Sequence, residues 1–240
     1  MTEHTTTYHT AHIWERGHRP SNEDSLAIMD VMSGRQHIFL AVAADGIGGM
    51  AEGGYASAYV TGQLRASFED YLKRNGHVSL QDLGRLFSRT LYNCHLYLLD
   101  YGIRHAIHTG TTVSILCFIG RRGIALQVGD SHLYRIGHRI RQIGHDHIDP
   151  NGHLTECIGS GKYHRKSIIK LRINKRDTLI LCTDGFYRLG LAMLKGFAEL
   201  HHNSSKSISE DMYKRLSYIS DYAYRHGEHD NMTAIALRVS

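Results

Sequence analysis

Five short stretches of this 240-residue chain carry residues able to do chemistry together: Arg19-Pro20-Ser21-Asn22-Glu23-Asp24, Asp45-Gly46-Ile47-Gly48-Gly49, Val128-Gly129-Asp130-Ser131, Thr183-Asp184-Gly185 and Asp230-Asn231-Met232-Thr233. Each sets a carboxylate beside small residues at the end of an apolar run. Carboxylates supply the oxygen ligands of a hard cation, and glycines let backbone carbonyls and waters come close. Asp45 can bridge two cations with its two oxygens, and Gly46 can offer its carbonyl. Two carboxylates about 5 Å apart repel by about 3 kcal/mol at an effective dielectric near 20, so these acids crowd together only with positive charge between them. Oxygen-only donors favour Mg²⁺ or Mn²⁺ over zinc. Arg19 adds a planar fork that holds two phosphate oxygens at once. Taken singly, each stretch reads equally well as a glycine turn or a solvated acidic turn; their joint occurrence is the signal.

The elements that must carry these residues follow from periodicity. Ser25 to Met32 alternates weakly and ends at the turn Ser33-Gly34-Arg35; His37 to Ala44 is a continuous apolar run, a buried strand that delivers Asp45 to its end. Gly53 to Lys73 and Ser79 to Tyr101 carry helical spacing, with Ala56, Val60, Leu64 and Phe68 in the first and Leu83, Leu86, Leu91 and Leu98 in the second. Thr111 to Ile119, Gly123 to Val128 and His132 to Ile136 read as strands, and Ile168 to Ile173 with Asp177 to Cys182 as a hairpin around Asn174-Lys175-Arg176. Leu189 to Leu200 and Ile208 to Tyr224 read as helices, and Met232 to Val239 as a closing strand. Strands, two helices, strands, two helices and a strand make an α+β order rather than alternating βαβ.

The order and wording of these pieces resemble the metal-dependent serine/threonine phosphatases of the PP2C (PPM) family, from about Trp14 to about Val239. The resemblance implies a single domain over 1–240, folded as a four-layer αββα sandwich: two packed antiparallel sheets flanked by antiparallel helix pairs. It implies two Mg²⁺ or Mn²⁺ ions, with a third in some bacterial members. Glu23, Asp45, the Gly46 carbonyl, Asp184 and Asp230 match metal ligands, and Asp130 with Asp184 matches the further site. Asp24 matches an aspartate that orders metal-bound water, and Arg19 matches the phosphate clamp. The implied reaction is hydrolysis of phosphoserine or phosphothreonine by direct attack of a metal-bridging hydroxide, without a phosphoenzyme. Gly110-Thr111-Thr112 matches a family segment read here as structural. The alternative is a catalytically silent module of the same fold, which would typically have lost one of the acids.

Three departures stand out. Ile47 occupies the place where many eukaryotic members carry a histidine proposed as general acid, which points to the bacterial type. The Gly-Glu pair after the glycine turn reads Gly53-Gly54, with Glu52 one step early. The flap between Asp146-His147 and Leu154-Thr155-Glu156-Cys157-Ile158-Gly159 shrinks to Ile148-Asp149-Pro150-Asn151-Gly152-His153, and Glu156 stands where the family usually has arginine. Asp-Pro-Asn-Gly is turn chemistry. His145 and His147 lie just before this turn; they read first as solvated histidines and, failing that, as the available substitute proton donors.

Composition bounds the rest. Hydrophobic content of 42% and charged content of 21% suit a globular protein. The two prolines, Pro20 and Pro150, leave no Pro-rich linker. No apolar run reaches membrane-spanning length, and Met1-Thr2-Glu3-His4-Thr5 lacks signal-peptide character. The expectation is a cytoplasmic monomer without membrane or nucleic-acid partners, acting on phosphoproteins that include a serine/threonine kinase or its substrates. The net charge of +5 is scattered, with denser spots at Arg121-Arg122 and His164-Arg165-Lys166, and no aromatics interleave with a basic stripe. Cys94, Cys117, Cys157 and Cys182 form no CxxC pair and read as buried reduced thiols. Despite 19 histidines and the His145-Asp146-His147 run, no zinc-site spacing is present.

Overall fold

A computed structural model describes residues 6–47, 52–164, 167–175, 177–199 and 207–240. Gly48, Gly49, Arg165, Lys166, Arg176, Leu200 and the Met1-to-Thr5 start lie outside the described residues. The described residues form twelve strands and four helices, in the order β1 (Tyr8–Glu15), β2 (Asp24–Ser33), β3 (Gln36–Asp45), α1 (Gly53–Arg74), α2 (Leu80–His105), β4 (Gly110–Thr111), β5 (Val113–Ile119), β6 (Arg122–Val128), β7 (His132–Ile136), β8 (Ile140–Ile143), β9 (Ile158–Gly159), β10 (Ile169–Arg172), β11 (Thr178–Cys182), α3 (Asp184–Gly190), α4 (Ile208–Arg225) and β12 (Met232–Val239), with a 3-10 stretch at Leu191–Glu199.

One antiparallel sheet has the order β1-β12-β11-β7-β8 and the other β10-β6-β5-β3-β2. Three apolar layers hold them. β3 shows why: Ile38, Leu40, Val42 and Ala44 pack under α1 and α2, while Phe39, Ala41 and Ala43 face the opposite sheet. A strand buried on both faces needs a continuous apolar run, as its sequence has. Phe186, Leu194, Met212, Leu216 and Ile219 close the third layer, over the outer face of the β12 sheet. The result is the expected α+β sandwich with helices outside both sheets.

The helix pairs start on local chemistry. Ser79 caps α2 by accepting from the Asp82 N–H at 3.1 Å, and Ser207 caps α4 by accepting from the Glu210 N–H at 3.2 Å. β2 and β3 turn through Gly34-Arg35, closing on the Ser33–Gln36 pair.

Three expectations are corrected. β10 and β11 are not a hairpin: β10 is the edge strand of one sheet, paired to β6, and β11 is central in the other, between β7 and β12. The burial patterns tell them apart, since Ile169–Arg172 alternates and Thr178–Cys182 is wholly buried. The helix placed at Leu189 to Leu200 begins instead at Asp184, and Leu191–Glu199 continues as 3-10 turns. The Thr111-to-Ile119 strand is broken at Thr112 into β4 and β5. β1, which the sequence reading did not anticipate, pairs along its whole length with β12.

Candidate metal and phosphate site

The acids meet at one end of the sandwich, where strands of both sheets finish. Asp24 opens β2 and Asp45 closes β3, directly opposite one another in the ladder. The Asp45 carbonyl accepts from the Thr112 N–H at 2.9 Å and the Thr111 hydroxyl at 2.7 Å, and the Asp45 N–H donates to Thr112 Oγ1 at 3.2 Å. Gly110-Thr111-Thr112 therefore fixes the strand end that carries the acid. Gly46 donates to the Glu23 carbonyl at 3.1 Å. A Cβ on Gly46 would sit 2.5 Å from the Gly53 carbonyl and 2.6 Å from the Glu23 carbonyl oxygen. Only glycine lets these three backbone segments converge.

The other sheet supplies Asp184, first residue of α3 after β11, and Asp230, just before β12. Thr183 joins the two sheets: its hydroxyl donates to Asp24 Oδ2 at 2.8 Å and accepts from the Thr233 N–H at 3.0 Å. Asp130 lies on the crossover from β6 to β7. Asn231 clips the loop that carries Arg19 and Glu23. Its Oδ1 accepts from the Glu23 N–H at 2.8 Å, and its Nδ2 donates to the carbonyls of Arg16 at 2.7 Å and Ser21 at 3.0 Å. Gly17 begins this loop at φ +61°, with an imaginary Cβ only 2.1 Å from the Asp230 carbonyl oxygen, so at this point the loop and the acid turn meet backbone to backbone.

Glu23, Asp45, Gly46, Asp130, Asp184 and Asp230 line one cavity of about 510 Å³, together with Arg19, Ile47 and Arg188. Asp24 lies behind Asp45, only 2% exposed. Burial pushes the Asp24 carboxyl up to about 7 and Asp130 up to about 6, with the Asp184 charge adding to each. Asp45 is raised well above the ordinary carboxylate range by burial and then by Asp24; Asp184 is raised by burial against the opposing pull of Arg188. Asp24 Oδ1 and Asp184 Oδ1 are buried with no hydrogen-bond partner.

Two arginines balance part of this charge. Arg19 grips Asp230 through both oxygens, at 3.0 and 3.1 Å. Arg188 hydrogen-bonds Asp184 and reaches Asp230 at 3.5 Å. Among the described residues, no three acidic, histidine or cysteine groups are arranged closely enough to hold a metal ion as they stand. The donor set nevertheless fits a hard divalent cation: it is all oxygen, it crowds like charges, and it leaves buried carboxylate oxygens unpartnered.

The shortened flap is a tight hairpin. Asp149 donates to the His153 carbonyl at 2.8 Å and Ile148 bridges to Leu154; Gly152 and Leu154 rim the acid cavity. His145 and His147 do not reach it. They line a separate cavity with Gln127, Gly144 and Glu156, and His147 Nδ1 is tied to Gly129. The structure therefore keeps these two histidines apart from the acids and favours their plainer reading, as solvated side chains. All four cysteines are buried free thiols.

The model of the family described as protein phosphatase 2C matches residues 16–219. The chain belongs to the protein phosphatase 2C family. Its fold is that of bacterial members: the serine/threonine phosphatase Stp1 of Staphylococcus aureus superposes with a TM-score of 0.80 at 22% identity, covering 98% of this chain and 96% of that one. PppA, a key regulatory component of T6SS in Pseudomonas aeruginosa, gives 0.78 at 24% identity over 98% and 100%. The catalytic domain of the serine/threonine phosphatase PstP, solved with two manganese ions, gives 0.73 at 23% over 98% and 99%. No protein of curated function matches the sequence closely enough to count as a relative. Among the described residues no helix of this family member is long and apolar enough to cross a membrane.

Sequence reasoning quoted Thr183 and Asn231 without giving them roles and missed Arg188 altogether. Asp184 and Arg188 have the i,i+4 spacing of a helical ion pair. Placing the helix start at Leu189 hid that spacing.

Proposed function

We propose that this family member is a Mg²⁺- or Mn²⁺-dependent phosphatase of phosphoserine and phosphothreonine proteins, opposing a serine/threonine kinase in the cytoplasm. The observation that carries the reading is one cavity in which five carboxylates from both sheets face two arginines, with buried carboxylate oxygens left without partners. Glu23, Asp45, the Gly46 carbonyl, Asp184 and Asp230 would hold two ions, and Asp130 with Asp184 a further one. Bound there, such ions supply an acidified water as nucleophile and neutralise phosphoryl oxygens.

The chain's own residues do the rest. Arg19 is half exposed at the cavity rim, so it can leave Asp230 and fork onto two phosphate oxygens. Asp24 is fixed from one side by Thr183 and has a buried, unpartnered Oδ1 that would be free to accept a hydrogen bond from a water beside Asp45. Ile47 lines the cavity and has no proton to give.

The test is hydrolysis of an aryl phosphate by the chelator-stripped protein across a Mn²⁺ titration, with Asp45→Asn alongside. Metal-dependent turnover lost in Asp45→Asn supports the reading. Turnover that ignores chelator refutes it, and absence of turnover at every metal concentration favours the silent module.

A further inference from the structure

Arg188 has no part in the reading above as ligand or clamp, yet it occupies the heart of the acid cluster. It sits one turn after Asp184 on α3, hydrogen-bonds Asp184 Oδ2, and places Nη1 3.5 Å from Asp230 Oδ2 and 3.9 Å from Glu228 Oε1. An ordinary ion pair within a helix would involve Asp184 alone. Here the guanidinium spans acids from two separate elements. Glu228 is itself fixed, accepting from the N–H groups of His229 at 3.0 Å and Asp230 at 3.1 Å. Arg188 thus fastens the end of β11 to the loop before β12 across the cavity it lines.

We propose that Arg188 is a built-in counter-ion that competes with the metal for Asp184 and Asp230. The proposal rests on the reading that these carboxylates hold metal. A carboxylate oxygen that accepts from a guanidinium presents less of its charge to a cation, and the guanidinium repels that cation directly. Arg188 can yield without leaving a buried charge, because its side chain is 50% exposed and can swing to solvent. The metal-free protein keeps Asp184 and Asp230 partly neutralised, at the cost of a weaker grip on the metal.

The experiment is calorimetric titration of Mn²⁺ into the chelator-stripped full chain, with thermal melting of the metal-free protein, for wild type, Arg188→Gln and Arg188→Lys. Arg188→Gln is expected to bind Mn²⁺ about tenfold more tightly, equivalent to about 1.4 kcal/mol, while melting lower without metal. Arg188→Lys keeps the charge and loses the fork, so it falls between. A purely structural role would lower melting without tightening metal binding. Unchanged or weaker Mn²⁺ binding by Arg188→Gln overturns the proposal. If that variant does not fold without metal, Arg188→Lys binding no tighter than wild type overturns it equally. Failure of the wild type itself to bind Mn²⁺ saturably refutes the metal reading of the site, whereas a binding wild type with an indifferent variant refutes only the role of Arg188.

Discussion

Asn231 offers the sharpest test of how the site is held together. Its side chain, 6% exposed, spends all three of its hydrogen bonds on the loop that carries Arg19 and Glu23. Asn231→Ala removes the three bonds and strands one backbone N–H and two carbonyls. At about 1 kcal/mol for each net hydrogen bond, the loss is about 3 kcal/mol. A chain of this size shifts by about 2–4 °C per kcal/mol, so melting should fall by roughly 6–12 °C. The same change frees the loop, and a misplacement of about 1 Å in a positioning element can cost on the order of 10²-fold in rate.

The assay is thermal melting in chelator and in Mn²⁺, paired with kcat/KM on an aryl phosphate. Asn231→Asp sharpens the comparison. It keeps the acceptor for the Glu23 N–H, loses both donors and adds a negative charge to the acid cluster. It should melt at least as low as Asn231→Ala in chelator and recover more of the loss in Mn²⁺, which offsets that charge. If Asn231→Ala melts within about 2 °C of wild type and keeps its kcat/KM, the loop is held by something else and the reasoning fails.

Four further outcomes are expected. Arg19→Ala should raise KM without weakening Mn²⁺-induced stabilisation, because it also frees Asp230; Arg19→Lys should recover little, since the fork that spans both Asp230 oxygens is lost, and a wild-type kcat/KM for the alanine variant contradicts the clamp. Gly46→Ala should destabilise by at least about 3 kcal/mol or abolish folding, because its Cβ meets rigid backbone at 2.5 Å; near-wild-type denaturant melting would show the three segments can part. With Ile47 in the cavity and general-acid help worth about 10²–10⁴-fold, aryl phosphate should be hydrolysed faster in the chemical step than a phosphothreonine peptide, Ile47→His should narrow the gap, and His145→Ala/His147→Ala should leave the peptide rate unchanged; a slower peptide rate in that double variant would return those histidines to the reaction. His95 is buried, accepts from the Gly159 N–H, and burial holds its imidazole below the usual histidine range; its contribution to stability is whole above the unfolded value of about 6.5 and is lost as pH falls through the lowered folded value, so His95→Asn should flatten the acid side of the stability profile, and an unaltered profile argues against it.

Which parts of this were legible in the sequence follows from range. The acids and Arg19 could be read because each sits in a short stretch with its own turn chemistry, and β3 because a strand buried on both faces writes itself as an unbroken apolar run. Assigning strands to sheets was harder. Ile169–Arg172 and Thr178–Cys182 are adjacent in sequence and strand-like, so a hairpin is the local answer, and only their different burial reveals the crossover. Thr183 and Asn231 escaped for a related reason: their partners, Asp24 and the Arg16-to-Glu23 loop, lie some two-thirds of the chain or more away, and no local pattern announces such a bond. The pairing of Arg19 with Asp230, and of Arg188 with Asp184 and Asp230, is a three-dimensional fact, visible only once both sheets end in the same place.

That shared end also explains why the proposed site would gain from bound cations. Asp24 and Asp45 arrive on one sheet, and Asp184 and Asp230 on the other. The aliphatic layer between the sheets, with Leu116, Leu133, Leu181 and Ile235, pulls them together, while two pairs of carboxylates at its edge push them apart. At about 3 kcal/mol for each close pair of like charges, the repulsion is large beside a total stability of about 5–15 kcal/mol. Arg19 comes from the loop after β1 and Arg188 from α3, so each guanidinium sits against acids of the β12 sheet, and the Thr183–Asp24 bond ties that sheet to its partner. The Asp24–Asp45 pair has no arginine of its own in this arrangement. It therefore remains the least compensated part of the cluster, and the part where a divalent cation would gain most.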